Sequence, residues 1–385
     1  MLRTLTDLEV AALGQEYNLA DGHAYRSWTA AEEELVGDLA SRFRQVDRRQ
    51  LADLEDAYFR TFFGLSRQTL DGTQFERFAC FTASSGIELI ANHLRLEGLS
   101  VALIEPCFDN VKDILRRHGV PLTVFPDAML HADADILEAF LAGLGSDVLF
   151  LVSPNNPTGS VLGQGNFARI LEHCARRGVT LVLDTCFRFY LAPDDVFDQY
   201  RMLIDSGINW IVIEDTGKTW PTLEIKAPFI SVSRGLAGAM ARINSDFLLH
   251  VSPFALALLT DFLRVSAADD CRAIRELVSL NRAVLNTALQ PTILQPVTDG
   301  DGEPFMSLAW LKIRGHLTAG QLTRILGDGG VHVLPGNQFF WSDARLGDSY
   351  IRVALTRDPS MFAQAADRLA DLCTHTRTQA LTGPR

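Results

Sequence analysis

The stretch Ile213–Trp220 reads IEDTGKTW and begins at the last residue of the apolar run Trp210–Ile213. A Gly-Lys-Thr also occurs in loops that bind nucleotide phosphates, but those loops carry a further glycine five residues before the second one. Here that position is Val212, inside the apolar run. Pro221 would also interrupt a helix that begins at Lys218. The stretch therefore predicts a buried strand followed by a loop with a lysine, and not a nucleotide-phosphate loop.

Similar apolar runs, rich in β-branched residues, alternate with amphipathic stretches on both sides of this one. Short buried strands separated by helices are typical of parallel βαβ units whose sheet is covered on both faces. The sequence therefore predicts an α/β fold. The predicted strands are Val101–Ile104, Val148–Val152, Thr180–Leu183 and Trp210–Ile213, and the predicted helices are Val111–His118, Asn166–Arg177 and Asp195–Ser206.

Polar motifs follow the predicted strands. TASSG follows Phe78–Phe81, and the later strands are followed in turn by EPCFDN, SPNNPTG, DTCF and EDTGK. In sheets of this kind the functional loops leave the carboxyl ends of the strands. We therefore expect these five loops to meet at one edge of the sheet and to bind something together.

The C-terminal part of the chain has a different pattern. Helical stretches predominate around residues 236–290, and weaker strands alternate with helices beyond Gln290. We predict an N-terminal segment of residues 1–40, a large domain of residues 41–290 and a smaller α+β domain of residues 291–385, with the N-terminal segment joined to the smaller domain. The elements predicted in this part are helices Ser252–Val265, Arg272–Leu289, Thr318–Leu326 and Ser360–Cys373 and strands Met306–Ile313 and Tyr350–Leu355.

The composition excludes several classes of protein. The 385 residues are 47% hydrophobic and 21% charged, as in ordinary soluble proteins, and the net charge of −12 disfavours nucleic acid and anionic membranes as partners. The chain has no apolar run of membrane-spanning length and no apolar core of a signal peptide near its N-terminus, so we expect a cytoplasmic location. The six cysteines and nine histidines show no metal-binding spacing, so we expect no metal.

The order of the five loops resembles that of the pyridoxal-phosphate enzymes of fold type I, the aspartate aminotransferase fold. The resemblance implies a mostly parallel seven-stranded sheet flanked by helices, a smaller α+β domain and a homodimer. Asn156 would then hydrogen-bond the phenolic oxygen of the cofactor, Asp184 would pair with its pyridine nitrogen, and Lys218 would bind it covalently. Arg352 would bind the α-carboxylate of a substrate, and Phe108 would stack on the pyridine ring.

The residue types suit these roles. A carboxylate keeps the pyridine nitrogen protonated so that the ring accepts electrons, a lysine amine reacts with an aldehyde, and an arginine presents a fork that matches a carboxylate. Each residue alone also has an ordinary explanation, which is a turn for NNPTG, a helix cap for Asp184, an ion pair for Arg352 and core packing for Phe108. Their order and spacing together favour the cofactor site.

The cofactor phosphate has its own candidates. Thr82, Ser84 and Ser85 offer hydroxyls and backbone amides at the start of a predicted helix, where an anion is favoured. Lys226, eight residues after Lys218, stands where many relatives have an arginine, and it would act on the phosphate as a point charge.

Three features depart from an ordinary aminotransferase. Phe187 stands where the family often has a tyrosine, so a hydrogen-bond donor to the phenolic oxygen is missing. Asp215 replaces a serine that often binds the phosphate, and a carboxylate in a closed site favours a cation such as a guanidinium. Alternatively, Asp215 caps its loop or pairs with Lys226. The N-terminal segment also gathers acidic residues near His23.

A narrower resemblance accounts for these departures. The motifs ADGH, PxFDN, NNPTG, LDTxFR, VIEDTGKxWPTL and VSPxxLAL resemble those of the pyridoxal-phosphate-dependent L-arginine oxidases and hydroxylases of bacterial natural-product pathways, such as enduracididine biosynthesis. The family converts L-arginine with O2, without flavin or metal, into 2-oxoarginine and 4-hydroxy-2-oxoarginine.

The narrower resemblance also implies roles in the N-terminal segment. Residues 1–40 would form a lid that carries Thr6, Glu9 and Asp21, and Glu9 would reach the substrate guanidinium of the neighbouring subunit. Asp215 would contact the same guanidinium. His23 would lie over the cofactor face and move protons, because an imidazole titrates near neutrality; its alternative is a surface histidine at a helix start. Cys186, which replaces an expected serine, would also contact the cofactor.

Two rival functions remain open at this point. A conventional aminotransferase acting on a basic amino acid would need an oxoacid as acceptor of the amino group. A non-catalytic pyridoxal-binding regulator would need a DNA-binding module, and the acidic chain leaves no room for one before the fold begins.

Overall fold

The computed structural model describes residues 4–298 and 306–381, with side chains described through residue 374. The helices are α1 (Leu5–Ala12), α2 (Ala30–Gly37), α3 (Leu39–Val46), α4 (Leu51–Leu65), α5 (Ala83–Glu97), α6 (Asp109–Arg117), α7 (Ala134–Ala142), α8 (Gln164–Arg177), α9 (Gln199–Ser206), α10 (Arg234–Phe247), α11 (Pro253–Ala267), α12 (Arg272–Leu289), α13 (Ala319–Asp328) and α14 (Pro359–Leu381). The strands are β1 (Tyr17–Asn18), β2 (Phe75–Ala79), β3 (Val101–Glu105), β4 (Leu122–Pro126), β5 (Val148–Val152), β6 (Thr180–Asp184), β7 (Trp210–Glu214), β8 (Phe229–Ser233), β9 (Leu294–Pro296), β10 (Leu308–Ile313), β11 (Val331–His332), β12 (Leu334–Pro335) and β13 (Tyr350–Ala354).

A seven-stranded sheet forms the centre of the molecule, in the order β2-β8-β7-β6-β5-β3-β4. Six strands run parallel, and β8 runs antiparallel to both of its neighbours. Strands β3, β5 and β7 are buried along their whole length, which explains their continuous apolar sequence. The predicted α/β architecture with a mostly parallel sheet is confirmed.

Several predicted boundaries were wrong by a few residues. The first strand spans Phe75–Ala79 and not Phe78–Phe81, because β2 pairs with β8 only as far as Ala79 and the Phe81 side chain is 59% exposed. Helix α9 begins at Gln199, since the Asp198 side chain accepts a hydrogen bond from the Arg201 amide and caps the helix there. Strands β4 and β8 were not among the predicted elements.

A second, four-stranded antiparallel sheet of β12, β13, β10 and β9 lies in the C-terminal part. The N-terminal segment packs on this part of the chain. Strand β1 pairs in parallel with β11, and the Leu19 carbonyl accepts a hydrogen bond of 2.8 Å from the Ala354 amide. The segment that follows Leu19 is therefore fixed next to β13.

Two contacts fix the position at which helix α1 begins, one local and one from a distant part of the sequence. Thr4 and Asp7 make a capping box at its N-terminus. The Leu5 amide, in the first turn, donates a hydrogen bond of 2.7 Å to Oδ2 of Asp109 at the start of α6. This contact fixes the N-terminus of α1 beside the loop that follows β3.

Candidate active site

The loops after β2, β3, β5, β6 and β7 meet at one edge of the large sheet, and helix α1 covers them. A cavity of about 190 Å³ lies at this point. Twelve of the predicted site residues line it: Thr6, Glu9, His23, Thr82, Ser84, Phe108, Asn156, Asp184, Cys186, Asp215, Lys218 and Lys226. Asp21, Ser85 and Arg352 are not among its lining residues, although each contacts a residue that is.

Asp184 is the last residue of β6, and its carboxylate faces the cavity. The pKa of Asp184 is raised to about 6, and burial is the main cause. The hydrogen bonds with Cys186 lower the pKa, and the nearby carboxylates of Asp215 and Glu214 raise it. The Cys186 amide donates a hydrogen bond of 3.0 Å to Oδ1 of Asp184. A buried carboxylate of this kind is stabilised by a cationic partner such as a protonated ring nitrogen.

Lys218 follows β7 and reaches into the same cavity. Burial alone would lower the pKa of the amine, but the carboxylates of Glu9, Asp215 and Asp21 outweigh it, so the pKa is raised. A free Lys218 is therefore protonated at neutral pH. Forming a bond to an aldehyde requires a neutral amine, so a group nearby must accept that proton.

The residue best placed for this transfer is His23. Its Nε2 lies 3.4 Å from Nζ of Lys218 and 3.4 Å from Nζ of Lys226. Its Nδ1 lies 2.6 Å from Oδ1 of Asp21, whose second oxygen accepts a hydrogen bond from the Tyr25 hydroxyl. Asp21 was predicted among the substrate-binding residues, whereas the structure places it behind His23, where it orients the imidazole.

The hydrogen bond and charge of His23 also explain the acidity of Asp21. Burial would raise the pKa of this carboxyl, but His23, with a further contribution from Lys218, holds it well below its usual value. Asp21 therefore stays ionised, and it fixes the ring nitrogen that faces it as a donor.

The start of α5 forms a second polar corner of the cavity. Thr82 and Ser85 make a capping box, so the Ser85 hydroxyl is used within the helix start and donates to the Thr82 carbonyl. The Ser84 hydroxyl lines the cavity and accepts a hydrogen bond of 2.7 Å from Nδ2 of Asn110. The helix N-terminus and Lys226 suit a phosphate dianion.

The two alternatives for Asp215, capping its loop or pairing with Lys226, have different outcomes. Lys226 forms its ion pair with Glu224, at 2.5 Å, so the alternative pairing of Lys226 with Asp215 is not adopted. Asp215 caps its loop by accepting a hydrogen bond of 2.9 Å from the Gly217 amide, and it also lines the cavity. Capping and facing the cavity are therefore compatible for this carboxylate.

Arg352, on β13, is completely buried beside the cavity. Its Nη1 donates to Oδ1 of Asn156 at 3.2 Å, and its Nη2 donates to Oε1 of Glu9 at 3.0 Å and to the Ala20 carbonyl. Glu9 thus pairs with the arginine of its own chain. The sequence-based prediction for Glu9 was a contact with the substrate of the neighbouring subunit, whereas the structure shows a contact with Arg352.

Sequence reasoning missed two contributors. Asn110 lines the cavity and positions Ser84, and its place in the EPCFDN motif was a usable signal. Arg357 is buried, and it donates hydrogen bonds to the carbonyls of Asn18, Asp21 and His23. No local pattern marks a buried arginine that binds a loop more than 300 residues away in sequence.

These residues fit pyridoxal phosphate. Within residues 4–298 and 306–381, the buried Asp184 carboxylate has no cationic hydrogen-bond partner. Lys218 provides the amine, and the start of α5 with Lys226 suits the phosphate. Phe108 lines the same cavity. Phe187 lines it as well, and this phenylalanine offers no hydroxyl to the phenolic oxygen of the cofactor.

The described part of the chain contains no cluster of three or more histidine, cysteine or acidic side chains arranged to hold a metal ion. Among the same residues, no helix combines the length and apolar character that crossing a membrane requires.

Curated proteins similar to the chain include aminotransferases. An aromatic aminotransferase, ISS1, from Arabidopsis thaliana is 25% identical over 254 residues, covering 62% of this chain and 61% of its own. An LL-diaminopimelate aminotransferase from Nitratidesulfovibrio vulgaris is 25% identical over 232 residues, covering 58% and 56%. The chain thus spans about three fifths of the length of these curated relatives.

Solved structures match over nearly the whole chain. The protein MppP, in a structure soaked with the product 2-ketoarginine, has a TM-score of 0.83 at 30% identity, covering 92% of this chain and 99% of its own. Aspartate aminotransferase from Thermus thermophilus has a TM-score of 0.77 at 15% identity, covering 97% of each chain, which shows the shared fold alone.

The fold is thus that of the fold type I aminotransferases, whose members act on amino acids and are typically homodimers. Residues 12–369 match the profile of the family described as Aminotransferase class I and II, and the chain belongs to that family.

Proposed function

We propose that the protein is a pyridoxal-phosphate-dependent oxidase of L-arginine that uses O2, without flavin or metal, in natural-product biosynthesis. The observation that carries the proposal is the pair of carboxylates, Glu9 and Asp215, that line the cavity beside Lys218. Two acidic side chains in an enclosed site favour a substrate with a cationic end, and a guanidinium matches them in shape. The similarity to MppP, in a structure soaked with the product 2-ketoarginine, supports the same substrate class.

The proposed products are 2-oxoarginine and 4-hydroxy-2-oxoarginine. In the first case L-arginine, O2 and water give the oxoacid, ammonia and hydrogen peroxide. In the second case another O2 takes two more electrons and two protons from the carbon chain and becomes a second hydrogen peroxide, and another water adds to the chain. Both equations balance without an external oxoacid, which separates them from transamination.

When bound, pyridoxal phosphate supplies an electron-accepting ring that acidifies the substrate α-carbon. In the proposal Asp184 holds the proton on the ring nitrogen, and Asn156 hydrogen-bonds the phenolic oxygen. Lys218 removes the α-proton as a free amine. Arg352 binds the α-carboxylate, and Asp215 binds the guanidinium.

His23 is the third catalytic residue of the proposal. Because its Nε2 faces Lys218 and its Nδ1 is held by Asp21, it moves protons at the group bound there. The segment of residues 1–40 acts as a lid that carries Thr6 and Glu9 and excludes water. Residues 41–290 and 291–385 form the large and small domains, and two copies of the chain form a homodimer.

A conventional aminotransferase acting on a basic amino acid is the second candidate. The names of the curated relatives favour it, since they describe aminotransferases. It would place the same residues in the same positions but would need an oxoacid to regenerate the enzyme.

Oxygen uptake by the purified holoenzyme on addition of L-arginine, with no oxoacid present, tests the proposal. Mass analysis of the products accompanies the measurement. Uptake with 2-oxoarginine or its hydroxylated form supports an oxidase. Absence of uptake, with a change of the cofactor spectrum that an oxoacid reverses, would assign the protein to the aminotransferases.

A further inference from the structure

The Glu9 carboxylate binds the arginine that the proposed function assigns to the substrate α-carboxylate. Oε1 of Glu9 lies 3.0 Å from Nη2 of Arg352, and it also accepts a hydrogen bond of 3.3 Å from the Gly22 amide. Arg352 does not line the cavity, whereas Glu9 and Asn156, which both contact its guanidinium, do. A second carboxylate that approaches Arg352 from the cavity therefore meets the groups that already bind it. The two carboxylates therefore compete for one group.

Glu9 cannot simply leave Arg352. The Arg352 side chain has no exposed surface, and its other described acceptors, Asn156 and Ala20, are neutral. Removing one partner of a buried ion pair leaves an uncompensated charge, which is strongly destabilising. The pair opens at little cost only when another carboxylate replaces Glu9 on Arg352.

A displaced Glu9 needs a cation of its own. Its side chain is 12% exposed and lines the cavity together with Asp215 and Lys218. In the holoenzyme, Lys218 is taken up by the cofactor. Lys226, which also lines the cavity, is already paired with Glu224. When the substrate releases Lys218, that amine must be neutral to remove the α-proton, so the cation left to pair with Glu9 is the one that the substrate brings.

We propose that the substrate exchanges ion pairs with Glu9, and this exchange rests on the proposed function. The substrate α-carboxylate replaces Glu9 on Arg352, and the substrate guanidinium then pairs with the released Glu9. Glu9 is thereby a specificity-determining residue that makes the two ends of the substrate depend on each other. An amino acid with an uncharged side chain displaces Glu9 from Arg352 but offers Glu9 no cation in return. An amine without a carboxylate leaves the Glu9–Arg352 ion pair intact, so Glu9 does not contribute to the affinity for that amine.

Four amines test this dependence, because each has the amino group that reacts with the cofactor. L-Arginine has both charged ends, L-norleucine has only the carboxylate, agmatine has only the guanidinium, and pentylamine has neither. Their dissociation constants are measured on the holoenzyme without oxygen, from the change in cofactor absorbance. The coupling factor is the affinity of L-arginine multiplied by that of pentylamine, divided by the product of the other two affinities.

We expect a coupling factor of about ten or more in the wild type. A factor of this size reflects one interaction that requires both the carboxylate and the guanidinium of the substrate. In Glu9→Gln the coupling factor falls to about one. L-Norleucine then binds more tightly than to the wild type, since no carboxylate must be displaced, while L-arginine binds more weakly. Glu16→Gln, an exposed position on the same segment, keeps the wild-type pattern.

Additive affinities in the wild type would overturn the exchange, and this measurement needs no variant to fold. Equal losses for all four amines in Glu9→Gln would also overturn it, because they would assign Glu9 a purely structural role. Failure of the proposed function is a separate outcome. Coupling without L-arginine-dependent oxygen uptake would leave the exchange standing in a basic-amino-acid aminotransferase.

Discussion

Nε2 of His23 lies 3.4 Å from Nζ of Lys218, although the two residues are far apart in the chain. The imidazole reaches this position because Asp21 holds its other nitrogen at 2.6 Å. The arrangement is that of a general acid–base group with an orienting carboxylate. It places a proton carrier directly beside the amine that the cofactor requires.

Replacing this proton carrier should slow turnover without removing the cofactor. For His23→Asn we expect kcat of oxygen uptake to fall by about 10²-fold or more, the usual size of a lost acid–base group. The absorbance of the bound cofactor should persist, since Lys218 is unchanged. Asp21→Asn should lower kcat by a smaller factor because it disturbs only the orientation of the ring. An unchanged kcat in His23→Asn would assign the histidine to packing.

The raised pKa of Asp184 predicts a pH-dependent stability. Because burial, with Asp215 and Glu214, raises the pKa to about 6, ionisation of this carboxyl destabilises the cofactor-free fold as the pH rises from about 4 to about 6. Cofactor-free Asp184→Asn should therefore be more stable than the wild type by up to about 3 kcal/mol near neutral pH, and equally stable near pH 4. Urea unfolding at both pH values measures the difference.

The loaded enzyme is the control for this prediction. When a protonated ring nitrogen pairs with Asp184, the carboxylate gains a cation and its ionisation no longer destabilises the fold. The wild type should then be the more stable of the two near neutral pH. A stability difference that does not change with pH in the cofactor-free pair would contradict the assigned pKa shift.

The loops of the site could be predicted from the sequence because their signals are local. A buried strand that ends in a polar motif is visible within about ten residues, and the parallel arrangement then brings Asn156, Asp184 and Lys218 to one edge. This reasoning needs no knowledge of side-chain packing.

The contacts of the N-terminal segment could not be predicted in the same way. Glu9 and Arg352 are 343 residues apart, and their pairing depends on how α1 packs against α6 and β12. Asp21 and His23 are close in sequence, but their spacing is equally compatible with an Asp21 side chain that points at the substrate. Only the position of the segment beside β13 distinguishes the two.

Asp215 offers a test of substrate charge. Asparagine can still accept the hydrogen bond from the Gly217 amide, so Asp215→Asn should keep the loop while removing the negative charge. We expect L-arginine to bind about tenfold to a hundredfold more weakly, as for a lost hydrogen bond between charged groups, and L-norleucine to bind with nearly unchanged affinity. Equal losses for both ligands, measured by spectral titration, would indicate that Asp215 acts on the cofactor.

Arg357 is expected to position His23 through the backbone. Its guanidinium donates to the carbonyls of Asn18 at 2.6 Å and His23 at 2.9 Å and also to that of Asp21, and burial lowers its pKa to about 10. The Tyr25 ring lies against the same guanidinium, with the guanidinium carbon 5.1 Å from the ring centroid. Lysine cannot reach these carbonyls together, because it lacks the planar fork.

We expect Arg357→Lys to lower kcat of oxygen uptake by about tenfold, with a smaller change in KM for L-arginine, because the loop that carries His23 relaxes while Arg352 and Asp215 stay in place. Arg282→Lys is the matched control, since Arg282 is also buried and donates to two backbone carbonyls, those of Met306 and Leu308, which are not part of the loop of residues 18–23. If both variants lose thermal stability but only Arg357→Lys loses kcat, Arg357 positions the catalytic loop. Equal losses of kcat in the two variants would reduce its role to general stability.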